Sequence, residues 1–119
     1  MASLQVEVVA SDRQVWSGEA SIVIAKTPEG EMGLMAGHEP VLATLMTGPV
    51  TVRTADGESV VAVVDQGFVS MSENKVAILG GVAQLADEID VTAAEAELAE
   101  AEDDDARRWA EARLQLARR

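Results

Sequence analysis

Turn signals cut residues 3–86 into short segments about every 8–12 residues, and no helical pattern of about 11–15 residues intervenes. Leu4-Gln5-Val6-Glu7-Val8 and Val50-Thr51-Val52-Arg53 alternate apolar and polar residues with period two, the mark of a half-buried strand. Ser21–Ala25, Val60–Val64 and Val76–Leu79 are β-branched runs suited to a sandwich interior. Ser11-Asp12-Arg13, Ala55-Asp56-Gly57-Glu58, Ser72-Glu73-Asn74-Lys75 and Gly80-Gly81 supply the turns. The absence of intervening helices excludes a βαβ sheet. This part of the chain is all-β, a sandwich or barrel.

The pattern then changes. Thr92-Ala93-Ala94-Glu95 reads as a capping box, with Asp90 as the competing cap, and the chain to Glu102 is mostly Ala, Glu and Leu. Val91, Ala94, Leu98 and Ala101 form a thin apolar stripe. Glu102-Asp103-Asp104-Asp105 interrupts it and offers an acidic start to a second helix, Ala106–Arg119, which stacks Trp109, Ala112 and Leu116 on one side. The division is a domain at 1–87 and a two-helix antiparallel hairpin at 88–119. Each helix is at or below the ~12–15 residues at which an isolated helix is marginal, so the hairpin is expected to depend on what it docks against.

Charge follows the same division. Residues 1–83 hold ten acids and four bases, residues 84–105 ten acids and no base, and residues 106–119 five Arg and one Glu. The overall net charge of −12 repels phosphate backbones and anionic lipid, so neither nucleic acid nor direct lipid insertion is expected. Three aromatic residues, Trp16, Phe68 and Trp109, make no base-stacking surface. With no Cys, thiol chemistry, disulfides and Cys-ligated metals are excluded. The opening Met1-Ala2-Ser3-Leu4 lacks the features of a signal peptide, and a cytosolic location is expected.

Few residues invite chemistry. His38 is the sole imidazole; chain spacing places no Ser beside it, and a metal site would need further His or Cys. It reads as a loop imidazole bonded to backbone. The glycines of Thr27-Pro28-Glu29-Gly30-Glu31-Met32-Gly33 are not followed by the Lys-Ser/Thr of a phosphate loop, and Glu29 and Glu31 would repel phosphate. An exposed acidic turn for partner contacts is the better account. The carboxylates from Asp87 to Asp105 lack the Gly of a calcium loop. Arg107, Arg108, Arg113, Arg118 and Arg119 suit an acidic protein partner, internal pairing with the acidic first helix, or both. Catalytic residues, cofactors and metals are expected to be absent; the residues describe an interaction module with a switchable tail.

The order of motifs carries a resemblance. Leu4–Gly18, then Thr27-Pro28-Glu29-Gly30-Glu31-Met32-Gly33-Leu34 with Gly37-His38-Glu39-Pro40-Val41, then Gly48-Pro49-Val50, Gln66-Gly67-Phe68-Val69 and Gly80–Asp90, are together similar to the epsilon subunit of F-type ATP synthase. The resemblance implies a ten-stranded two-layer β-sandwich followed by a two-helix hairpin. It further implies a non-catalytic rotor subunit that binds gamma and the c-subunit ring during proton-driven synthesis. By the same resemblance the helical tail restrains hydrolysis, and the protein is peripheral on the cytoplasmic face of the bacterial plasma membrane. Glu29, Gly30, Glu31, Gly37, His38 and Glu39 match the ring-facing loops. Arg107, Arg108, Trp109, Arg113 and Arg118 lie on the helix that would engage the catalytic beta and alpha subunits.

Two departures modify that expectation. The family's ATP-binding Ile/Leu-Asp-x-x-Arg-Ala motif stands here as Ile89-Asp90-Val91-Thr92-Ala93-Ala94, with Ala93 in place of the Arg, so ATP binding is expected to be weak or absent. The second helix reaches only ~20 Å, and partial inhibition is expected. The competing reading is a free-standing β-sandwich adaptor or small-ligand binder with a concave polar pocket. A hydrolase would have to rest on His38.

Overall fold

The computed structural model describes residues 3–117. Seven strands come first: β1 (Leu4–Ala10), β2 (Arg13–Thr27), β3 (Gly30–Met35), β4 (Val41–Leu45), β5 (Gly48–Thr54), β6 (Ser59–Ser72) and β7 (Lys75–Leu85). A 3-10 turn at Ala86–Glu88 leads to α1 (Val91–Glu100) and α2 (Asp104–Ala117). The strands pair in the order β1-β7-β6-β5-β2-β3, with β4 on β6 and β1 also on β2. All pairs are antiparallel except β1 with β7.

Three strands serve both layers. β2 shifts register between Ala20 and Ile22. In β6 and β7 the ladder lapses where Gln66, at φ 46°, faces Gly81, and resumes in the same register. Divided at these points, the seven continuous strands give ten segments, five to a layer. One layer holds the first half of β2, then β1, the first half of β7, the second half of β6, and β4. The other holds β3, the second half of β2, β5, the first half of β6 and the end of β7.

Gly80-Gly81 is therefore not a turn but the crossing point of β7. Gly67 and Gly80 are register partners there, and a Cβ on Gly67 would run into the Leu79 carbonyl. The glycines permit a close approach of two bent strands, which resembles a turn signal when read along one chain.

Alternation fills the space between layers. Leu4, Val6, Val8, Val69, Met71, Val76 and Ile78 point inward from one, and Val23, Leu34, Val50, Val52, Ala62 and Val64 from the other. Each such side chain contributes about 1.5–3 kcal/mol when fully buried. Val63, between Ala62 and Val64, points outward yet is wholly covered. It packs with Ala112 and Leu116, beside Val61, Ile89 and Trp109. The hairpin thus lies folded on the outer face of the second layer, held by a far smaller cluster than the core.

The helix starts are polar. Asp90, not Thr92, caps α1: its carboxylate accepts the Ala93 N–H at 3.0 Å, and Thr92 already lies in the first turn. A carboxylate at that position also interacts favourably with the positive end of the helix dipole. Asp103 does the same for α2, accepting from Ala106 N at 2.7 Å. α1 buries only Ala94 among its residues, whereas α2 buries Ala110, Ala112, Arg113, Leu114 and Leu116.

Candidate functional site

The six residues expected to face a ring lie at the two ends of β3. Glu29 lies in the β2–β3 turn, and Gly30 and Glu31 begin β3. Thr27 braces this turn, its hydroxyl donating to the Gly30 carbonyl at 2.8 Å and accepting from Glu29 N at 3.2 Å. Gly37, His38 and Glu39 occupy the β3–β4 loop. Gly37, at φ 87°, donates its N–H to Asn74 Oδ1 at 2.8 Å. His38 Nδ1 hydrogen-bonds the Glu39 carbonyl at 2.8 Å. All six are exposed, but the length of β3, roughly 20 Å, separates the two trios. They make an arm along a sheet edge, not a pocket. No cluster of metal-ligating side chains occurs among the described residues.

A second surface was not foreseen as a site. On the outer face of the first layer, the register aligns Val9, Leu79, Phe68 and Thr44 in one row and Glu7, Ala77, Ser70 and Leu42 in the next. Leu42 is 78% exposed, Phe68 51% and Leu79 44%. Met46 and Val82 are also exposed large apolar residues. A shallow trough bordered by Gln5, Glu7, Ser72 and Lys75 runs beside these rows. Large apolar side chains aligned on one open face mark a docking surface. The available signal was phase: Phe68 sits out of step with the inward pair Val69 and Met71.

The third region is the tail and its hinge. Glu88, in the turn after β7, receives both arms of the Arg13 guanidinium at 3.0 Å each and the Leu85 N–H at 2.8 Å. Arg13 also reaches the Ala83 carbonyl at 3.4 Å. The Arg13 fork, and then the backbone donor, hold the Glu88 carboxyl below its ordinary range. Arg13 and Glu88 are 75 positions apart, and nothing along the chain links them.

The expected partner-binding residues of α2 divide into two kinds. Arg107 and Arg108 are exposed and bridge to Asp104 at 3.5 Å and Asp105 at 3.2 Å within their own helix. Trp109 is half-buried against the sandwich, and Arg113 is buried. Arg113 pairs with Glu97 of α1 and lies 5.2 Å from the centre of the Trp109 ring. Burial lowers the pKa of its guanidinium. Arg118 lies outside the described residues. Asp90, the acid of the nucleotide motif, is engaged in capping α1.

Comparisons with known proteins agree on one family. A model of the beta-sandwich domain of the ATP synthase delta/epsilon chain matches residues 3–86. The ATP synthase epsilon chain of Streptomyces avermitilis is 56% identical over 116 residues, covering 95% of this chain and 94% of that one. That of Corynebacterium diphtheriae is 48% identical over 120 residues, covering 100% of this chain and 97% of its own length. Among solved structures, a chain of the Euglena gracilis mitochondrial ATP synthase matches with a TM-score of 0.70 at 24% identity. It covers 99% of this chain and 79% of that one, and shows the shared fold.

Proposed function

This chain belongs to the ATP synthase epsilon family, and from that we propose that it is a rotor subunit of the enzyme's central stalk, without catalysis of its own. The observation that carries the docking mode is the exposed row of Phe68 and Leu79 with Leu42 beside it. An open apolar face suits a broad protein surface, which here is the gamma subunit. Glu29–Glu31 and Gly37–Glu39 extend along the β3 edge toward the polar loops of the c-subunit ring. Acidic residues at such a rim favour steering and register over raw affinity. As part of that complex, the subunit is peripheral on the cytoplasmic face of the membrane. No helix among the described residues is long and apolar enough to cross it.

The tail is the regulatory part. Folded on the sandwich, it withdraws Trp109 and Arg113 and leaves Arg107 and Arg108 outside. Extended, it would bring these arginines to acidic surface on the catalytic beta and alpha subunits and restrain hydrolysis during rotation in that direction. ATP is not expected to hold it down, because Ala93 supplies no cation and Asp90 is engaged as a cap. The test of the docking mode is gamma binding by calorimetry, with Phe68→Ser and Leu79→Ser. The proposal expects wild-type binding and a loss of about tenfold or more in each variant. Unchanged affinity in both variants would overturn the assigned face; no binding by the wild type would return the adaptor reading.

A further inference from the structure

Two buried polar atoms, one on the sandwich and one on the tail, have no hydrogen-bond partner among the described residues. Gln84 of β7 is the register partner of Val63, so its side chain shares the face on which α2 lies. Its Oε1 is buried and accepts no hydrogen bond from the described residues. On the tail, Arg113 is 6% exposed, and its Nε is buried with no acceptor among the described residues. Arg113 sits beside Ala112 and three residues before Leu116, both of which pack on Val63. Its counter-ion, Glu97, keeps a side chain 53% exposed, so the pair joins a desolvated cation to a hydrated anion. Burying a charge against such a partner opposes the state that buries it, and so does an unmade buried hydrogen bond.

We propose that Arg113 and Gln84 are release elements, which hold the folded tail close to undocking by setting incompletely compensated polar groups beside its apolar contact. The purpose of such a device rests on the regulatory reading above; its energetics do not. Trp109, Ala112, Leu116, Val61 and Val63 alone would make a tighter clasp. When the tail leaves, the Arg113 guanidinium and the Gln84 amide regain water. Glu97, on α1 of the same tail, keeps its carboxylate half in water even in the folded state.

This asymmetry is testable on the isolated full chain by amide hydrogen exchange, which reads tail opening separately from opening of the sandwich. Undocked, helices this short fray, so α2 protection reports docking. Arg113→Met keeps the volume and removes the charge; α2 protection should rise by about tenfold while strand protection stays unchanged. Gln84→Leu should shift it in the same direction from the sandwich side. Glu97→Ala, which strands the buried cation, should lower it by about tenfold. A fall in α2 protection in Arg113→Met, with the strands still protected, would show the ion pair to be a clasp and overturn the proposal. If Arg113→Met disturbs the strands too, Gln84→Leu decides: a rise supports the proposal, and a fall or no change overturns it. Loss of gamma binding would not touch these outcomes, and their failure would leave the rotor reading standing.

Discussion

Glu88 shows how one side chain can set the direction of a whole appendage. Its two carboxylate oxygens take hydrogen bonds from Arg13 and from Leu85 N, tying the turn after β7 to the β1–β2 hairpin. Because the carboxyl is held below its ordinary value of 4.5, the fork contributes fully above that pH. The contribution is lost as pH falls through the depressed folded value. Glu88→Gln should therefore lower the urea midpoint at neutral pH, with the gap from wild type narrowing in acid; a gap independent of pH would contradict the assignment. At His38 the expectation is opposite. Its ring is exposed and, among the described residues, bonds only the neighbouring Glu39 carbonyl, so His38→Ala should change stability by no more than about 0.5 kcal/mol. Any effect should appear in assembly with the ring. Gly67→Ala, in contrast, forces a Cβ against the Leu79 carbonyl and should cost about 1–3 kcal/mol in thermal or urea melts.

Elements were legible in the sequence where one face is buried and the other is wet. Leu4–Val8 alternates because Leu4, Val6 and Val8 meet the core and Gln5 and Glu7 do not. The crossings of β2, β6 and β7 were not legible as such, because a glycine that allows two strands to touch looks like a glycine that ends one. Nor could the stripe on α2 say which way it faces. Arg113 was open between an acidic partner and internal pairing with the first helix; in the folded tail it is buried and pairs with Glu97 of α1. The hinge pair required tertiary pairing and was invisible along the chain, and of the outer apolar row only the phase of Phe68 was legible. The small cluster under α2 gives a test at this scale. Trp109→Ala should loosen the tail by about 2 kcal/mol, half the range for a fully buried aromatic, and leave the sandwich intact. Limited trypsin digestion at Arg107 and Arg108 should then quicken while the strands stay resistant.

At the scale of the molecule, the surfaces lie on different sides. The apolar row is on the outer face of one layer, the hairpin covers the outer face of the other, and the acidic arm follows the β3 edge. A folded tail therefore does not cover the face assigned to gamma. A chain ending at Glu88 should bind gamma as the full chain does. Under the proposed function, that separation would let the coupling contacts persist while the tail changes position. The decisive measurement is ATP hydrolysis by the reconstituted catalytic head with gamma, comparing no added chain, the full chain and the chain ending at Glu88. Slower hydrolysis with the full chain than with the shortened one, at equal gamma binding, is the predicted result. Equal rates at equal binding would contradict the tail's role as a brake.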